Sequence, residues 1–136
     1  MNTDSRIVIP DSAEIKLLHK EETRSILACA FAVMNELGHG WNEKIYENAL
    51  TVEFRRCEIA FDQQRRFPVE YKGERVGEFV PDLIAYNAVI IDAKTIESIT
   101  DHERGQMLNY LRITKLRVGL LLNFKHAKLQ WERLVV

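Results

Sequence analysis

The chain has 136 residues, of which 46% are hydrophobic and 29% charged, a balance that excludes a disordered or fibrous protein. Its formal net charge of −1 provides no broad basic field to attract a polyanion such as nucleic acid. The longest apolar run, at 26–34, is too short to cross a membrane, and the polar first residues lack a signal-peptide core. We therefore expect neither membrane insertion nor export.

The two cysteines, Cys29 and Cys57, lie in segments of helical character without CxxC spacing or suitably placed histidines. This pattern favours two buried thiols in a reducing compartment over a disulfide or a zinc site. We accordingly expect a cytoplasmic protein.

Two helices are predicted in the first part of the chain. Apolar residues recur at helical spacing over 11–37, and Gly38 stops the helix. Asn42 then provides the cap of a second helix that runs to about Cys57.

The hydrophobic period changes to that of strands after the second helix. Phe67, Val69 and Tyr71 alternate before a Lys72–Gly73 turn, and further apolar residues follow as far as 94. Three or four antiparallel strands are predicted in this part of the chain.

A third helix and two strands complete the prediction. Thr100 and Glu103 form a capping box, so a helix should begin there and run to about Ile113. The sequence LRVGLLLNF at 116–124 indicates a strongly buried strand, and KLQWERLVV at 128–136 an alternating one.

This order of elements predicts helices packed on one mixed sheet, an α/β or α+β architecture. The length fits a single domain over 11–136, and the residues at 1–10 are expected to be loosely ordered.

Charged residues interrupt an apolar stretch, PDLIAYNAVIIDAK at 81–94, that is otherwise typical of two core strands. Asp92 and Lys94 point to the same face because side chains alternate along a strand. An odd-numbered loop between the strands would place Asp82 opposite Asp92, whereas an even-numbered loop would separate them unless a bulge restores the register.

Two adjacent carboxylates repel, and their burial is costly without compensation. The arrangement therefore indicates a bound cation such as Mg²⁺ between Asp82 and Asp92. The alternative is that Lys94 neutralises an aspartate at the rim of the sheet, and these three residues alone do not decide between the two.

Four ordered motifs in this sequence resemble those of a known family. Pro81–Asp82 followed by Asp92–Lys94 resembles the signature of the PD-(D/E)XK nuclease superfamily, and the order of elements resembles its αβββαβ core, a restriction-endonuclease-like fold. GWNEKIY at 40–46 is similar to the motif of the GxxExxY protein family, a branch of that superfamily, and QMLNY at 106–110 resembles a QxxxY element of some members. The resemblance extends from about Ile26 to the C-terminus.

The resemblance implies a Mg²⁺-dependent or Mn²⁺-dependent nuclease acting on DNA. The metal ligands would be Asp82, Asp92, the carbonyl of Ala93, and Glu43 directly or through water, and Lys94 would contact the attacking water and the phosphate. The core acidic residue is Asp92, where glutamate would be the commoner residue in the branch, and both types satisfy the superfamily pattern.

Four of the residues singled out have structural alternatives. Glu43 also suits a helix N-terminus as a favourable charge. Tyr46, one turn later, is interpreted mainly as a packing residue. Gln106 and Tyr110 lie on one helix face; the resemblance implies that they contact the substrate, and a structural amide at Gln106 is the alternative.

The main functional hypothesis is thus a metal-dependent nuclease with Asp82, Asp92, Lys94 and Glu43 at its site. The alternative is a non-catalytic protein of the same fold that binds or assembles, as a homo-oligomer packed through its apolar first helix. A homodimer or larger assembly is expected under either hypothesis.

Overall fold

Two packed helices open the part of the chain that the computed structural model describes, residues 18–136. Helix α1 spans Lys20–Leu37 and ends at Gly38, which has a left-handed φ of 70°. Helix α2 spans Glu43–Arg56, and the side chain of Asn42 accepts a hydrogen bond from the Ile45 N–H at 3.1 Å. The predicted loose segment at 1–10 and the predicted beginning of the first helix lie outside the described residues.

A five-stranded mixed sheet forms the centre of the fold. Its strands are β1 Phe61–Gln63, β4 Leu83–Ala85, β5 Val89–Lys94, β6 Val118–Asn123 and β7 Gln130–Val135. They lie in the order β1-β4-β5-β6-β7; β5 and β6 are parallel, and the other neighbouring pairs in this sheet are antiparallel.

The parallel pair is joined by helix α3, which spans Asp101–Thr114 and lies between β5 and β6 in the chain. Thr100 and Glu103 form the predicted capping box at its beginning. No helix in residues 18–136 is both long enough and apolar enough to span a membrane.

A separate two-stranded hairpin consists of β2 Phe67–Tyr71 and β3 Glu74–Phe79. Both residues of its predicted turn, Lys72 and Gly73, have positive φ angles, of 51° and 81°. This is the backbone geometry that matches the twist of a tight hairpin. Residues 61–94 thus hold five strands rather than the predicted three or four, because the three-residue β1 is too short to show alternation.

The central sheet is covered on both faces, as predicted. One face packs against α1 and α2 through Leu83, Ile91, Leu120 and Leu122. The other face carries Ile84, Ile90 and Leu121 and packs against Met107 and Leu111 of α3. At Gly119 of β6, an added Cβ would overlap the Met107 side chain, so the missing side chain permits the close approach of α3.

One of the two cysteines differs from the predicted burial. Cys29 is buried in α1, but Cys57 is exposed. Cys57 directly follows Arg56, the last residue of α2, and caps this end of the helix.

Candidate functional site

The turn between β4 and β5 decides where the two aspartates lie. Ala85 pairs with Val89, which leaves a three-residue loop at 86–88. Tyr86 and Asn87 both adopt left-handed φ angles in this loop, of 59° and 53°. The odd-numbered alternative is therefore confirmed.

The register that this loop sets places Asp82 opposite Asp92. Leu83 pairs with Ile91, and continuing this register by one position aligns Asp82, the residue directly before β4, with Asp92. The Asp82 Oδ2 accepts a hydrogen bond from the backbone N–H of Ala93 at 2.9 Å. The carboxylate of Asp82 is thus fixed against the backbone of the strand that carries Asp92.

Burial raises the pKa of both carboxyl groups. The pKa of Asp82 rises from 3.8 to about 7, chiefly because the group is removed from water and next because of the charge of Asp92. Burial also raises the pKa of Asp92, which is 6% exposed, against the opposing effect of Lys94. Two close carboxylates with reduced hydration are the donor set of a hard-cation site.

An open cavity of about 530 Å³ contains this carboxylate pair. The Lys94 side chain lines the cavity, and within residues 18–136 no direct ion pair joins it to either aspartate. The other lining residues come from α2, the β2–β3 hairpin, the segment after it, β5 and α3; they are Glu43, Val69, Glu78, Phe79, Val80, Ala93, Asn109, Tyr110 and Ile113.

Glu43 reaches the end of β5 from the first turn of α2. Its Oε2 accepts hydrogen bonds from the Thr95 N–H at 2.9 Å and the Thr95 hydroxyl at 3.4 Å. Its negative charge also contributes to the raised pKa of Asp92. Glu43 therefore lines the cavity while it connects α2 to the strand that carries Asp92.

The four groups expected to bind a metal do not form a cluster of three acidic side chains. Within the described range of 18–136, no group of three or more His, Cys, Asp or Glu side chains is arranged to hold a metal ion. Asp82 and Asp92 remain as a pair, which fits Mg²⁺ because this ion is commonly held by one or two carboxylates while it keeps several waters.

The two residues predicted on the last helix are placed differently. The Tyr110 ring lines the cavity and stacks on Phe79, with ring centroids 3.6 Å apart. Burial raises the pKa of Tyr110, and the charges of Asp92 and Asp82 raise it further. Gln106 is partly buried and is not among the residues that line the cavity.

Tyr46 is a packing residue. Its ring is fully buried and stacks on Phe124, with centroids 4.4 Å apart. Its hydroxyl donates a hydrogen bond to the Gly38 carbonyl at 2.7 Å and accepts one from the Trp41 N–H at 3.2 Å. Tyr46 thus fixes the turn that leads into Glu43.

Glu47 is an organising residue that the sequence reasoning missed. It is buried, and its Oε2 accepts hydrogen bonds from Lys44 at 3.1 Å, Gln63 at 2.7 Å and Gln64 at 2.8 Å. The Gln64 N–H in turn donates to the Asp82 carbonyl at 3.1 Å. The available signal was the spacing of four residues from Glu43, which places both carboxylates on one helix face.

Comparison with known proteins agrees with this architecture. A family model described as the PD-(D/E)XK nuclease superfamily matches residues 20–134. The crystal structure of SSO0001 is similar with a TM-score of 0.55 and 18% identity, and the match covers 86% of this chain but 58% of that chain. The comparison with curated proteins gives no match.

The family match and the mixed sheet with flanking helices confirm the restriction-endonuclease-like α/β fold implied by the sequence resemblance. The narrower resemblance to the GxxExxY family stays a prediction. At 18% identity, the likeness to SSO0001 concerns the fold alone.

Proposed function

Because the chain belongs to the PD-(D/E)XK nuclease superfamily, we propose that it is a Mg²⁺-dependent nuclease that hydrolyses phosphodiester bonds in DNA. One observation carries the proposal: Asp82, directly before β4, and Asp92, on the neighbouring strand β5, line one cavity together with Lys94. The family match supports nuclease-type chemistry, and the metal, the DNA substrate and the roles of individual residues are part of the proposal.

Asp82 and Asp92 are the groups that would hold Mg²⁺ or Mn²⁺. Such an ion, when bound, supplies positive charge at the reacting phosphate and lowers the pKa of a coordinated water. Glu43 lies at the wall of the cavity, where its carboxylate can accept hydrogen bonds from waters around this pair.

Lys94 is proposed to act on the attacking water and on the phosphate. Its ammonium group carries three N–H donors, so it can orient a water oxygen and also bond a phosphate oxygen. The same charge stabilises the negative charge that increases on the phosphate oxygens in the transition state. Lys94 lines the cavity together with both carboxylates, so its donors are placed for these contacts.

Tyr110 and Asn109 are placed to contact the substrate beside the reacting phosphate. Both line the cavity from α3, and Tyr110 is held in position by its stack on Phe79. The hairpin residues Val69 and Glu78 form another part of the wall. A bound strand would therefore pass between α3 and the hairpin.

A second candidate function is binding or assembly through another surface. Phe31 of α1 and Trp131 of β7 are 43% and 42% exposed, and both line a largely apolar groove of about 480 Å³. An exposed apolar groove suits contact with another chain, including a second copy. The sequence suggested an assembly that packs through the apolar first helix. In the structure, the most apolar part of α1 instead packs mainly within its own chain, through Ile26, Cys29, Ala30, Val33 and Met34.

A cleavage assay separates the two functions. Purified protein is incubated with plasmid DNA, single-stranded DNA and RNA in the presence of Mg²⁺ or Mn²⁺, beside Asp92→Asn, Lys94→Ala and the control Lys128→Ala, whose lysine is exposed. We expect each site variant to lose cleavage by about 100-fold or more, and the control to retain it. Equal rates for the wild type and both site variants would refute the nuclease proposal, and cleavage of RNA alone would refute the DNA substrate.

A further inference from the structure

The two cysteines line one cavity, although they are far apart in the sequence. Cys29 belongs to α1, and Cys57 is the residue at which α2 ends. Both line a cavity of about 380 Å³ that also contacts Glu53 and Tyr86. None of its lining residues lines the cavity that contains Asp82 and Asp92.

The two thiols also interact electrostatically. Burial raises the pKa of Cys29 to about 12, and the neighbouring Cys57 thiol is the next cause, ahead of Glu53. Cys29 and Cys57 are therefore neighbours at the wall of the same cavity.

Their exposure is unequal. Cys29 is 3% exposed at the wall of the cavity, whereas Cys57 is open to solvent. A dissolved reagent therefore reaches Cys57 first, and the adduct that it forms lies beside the buried Cys29. This order is the usual one for a thiol that reacts and a second thiol that resolves the product.

A metal site is the other common use of paired cysteines, and the structure does not favour it. Glu53 also lines the cavity and has a side chain of a type that binds metals. However, the two cysteines and Glu53 are not arranged to hold a metal ion, and residues 18–136 contain no other group of three such side chains that is. Two thiols without a third ligand do not complete a structural zinc site.

We propose that Cys29 and Cys57 form a reversible modification site, an oxidisable dithiol pair that reacts with low-molecular-weight disulfides such as oxidised glutathione. The product is an intramolecular disulfide that joins α1 to the end of α2.

The reaction balances in two exchanges. The Cys57 sulfur, after loss of its proton, attacks one sulfur of oxidised glutathione; the Cys57–glutathione bond forms and one glutathione thiolate leaves. The Cys29 sulfur then loses its proton and attacks the Cys57 sulfur; the Cys29–Cys57 bond forms and the second glutathione leaves. The protein dithiol is oxidised, and one glutathione disulfide is reduced to two thiols, which take up the two protons.

The second exchange should be the slower one. A thiol whose pKa is about 12 is deprotonated in only a small fraction of molecules near neutral pH. The glutathione adduct on Cys57 should accordingly be seen transiently before the disulfide forms.

The test is intact-mass and peptide analysis of the folded full chain after incubation with oxidised glutathione. We expect the wild type to lose about 2 Da, with Cys29 and Cys57 in one linked peptide pair, and to recover its mass with dithiothreitol. Cys29→Ser should instead retain an adduct of about 305 Da on Cys57, and Cys57→Ser should show no adduct at Cys29.

Cys29→Ala serves as a second variant if the buried serine impairs folding, and circular dichroism verifies the fold of each variant. A persistent glutathione adduct on wild-type Cys57 would refute the proposal. A Cys57–Cys57 disulfide between two chains would also refute it. So would a folded protein that does not react with oxidised glutathione although the same protein reacts fully when unfolded in urea. These readouts do not depend on nuclease activity.

Discussion

The carboxylate of Asp82, the residue directly before β4, lies beside Asp92 of β5: it accepts a hydrogen bond from the backbone N–H of Ala93 at 2.9 Å, and like charges this close destabilise a sheet. The burial that they share raises the pKa of both groups and adds to this cost. The positive charge of Lys94 offsets only part of this cost. The pair is therefore a local instability of the folded protein, which a divalent cation would relieve.

Removal of one charge should stabilise the metal-free protein in a pH-dependent way. The pKa of Asp82 is about 7 in the fold and 3.8 in an ordinary setting, so between these values the folded state binds more protons than the unfolded state. The wild type consequently loses stability as the pH rises through this window. Asp82→Asn has no such loss, and in EDTA its Tm should exceed that of the wild type by about 4 °C at pH 8 and by much less at pH 5.

The exposed Asp62 provides the matched control for this experiment. Its side chain is 54% exposed and forms only a 3.6 Å surface ion pair with Arg65. Asp62→Asn should show no gain in Tm between pH 5 and pH 8. An equal Tm for Asp82→Asn and the wild type at pH 8 would show that the carboxylate pair is not strained.

Divalent cations should reverse the order of stability. A ligand that binds only the folded state adds about 2.7 kcal/mol to the free energy of unfolding at 100 times its Kd. Mg²⁺ or Mn²⁺ should therefore raise the Tm of the wild type, whereas Asp82→Asn should respond little. Thermal unfolding monitored by circular dichroism measures both shifts, and the same shift in both proteins would place the bound metal elsewhere.

Loss of the Glu47 side chain should destabilise the fold near Asp82. Its buried carboxylate accepts bonds from Lys44, Gln63 and Gln64, and its removal leaves these donors without their acceptor. Glu47→Ala should lower the free energy of unfolding by about 3 kcal/mol in urea titrations. Glu47→Gln, which keeps an acceptor oxygen, should lose less, and equal losses for both variants would contradict the role of these bonds.

Tyr46→Phe should reduce stability without loss of cleavage. The variant keeps the stack on Phe124 but loses the hydrogen bonds that join the hydroxyl to Gly38 and Trp41. We expect a loss of about 1.5 kcal/mol in the free energy of unfolding. Tyr71→Phe is the control, since Tyr71 is 63% exposed. A loss of cleavage in Tyr46→Phe that exceeds what its loss of stability explains would indicate a direct catalytic role for Tyr46.

The sequence was most informative where local geometry determines the structure. The length of the loop at 86–88 depends on a short segment of sequence. The alignment of Asp82 with Asp92 could therefore be predicted from the alternation of side chains along a strand and from an odd number of loop residues. The Thr100 capping box and the Lys72–Gly73 turn were predicted for the same reason.

Relations between distant segments could not be predicted in this way. The cavity shared by Cys29 and Cys57 depends on how α1 crosses the end of α2, which no local pattern encodes. The contact between Glu43 and Thr95 likewise joins residues 52 positions apart. The motif resemblance predicts both Gln106 and Tyr110 at the site; Tyr110 lines the cavity together with Asn109, whereas Gln106 is not among its lining residues.

The most direct test of the proposed metal site is a crystal structure of the protein soaked with Mn²⁺, with anomalous diffraction used to locate the ion. We predict one ion bound by the carboxylates of Asp82 and Asp92, with waters in its remaining positions and Lys94 beside it. Absence of an anomalous peak at this pair in millimolar Mn²⁺, or carboxylates that face away from each other, would contradict it.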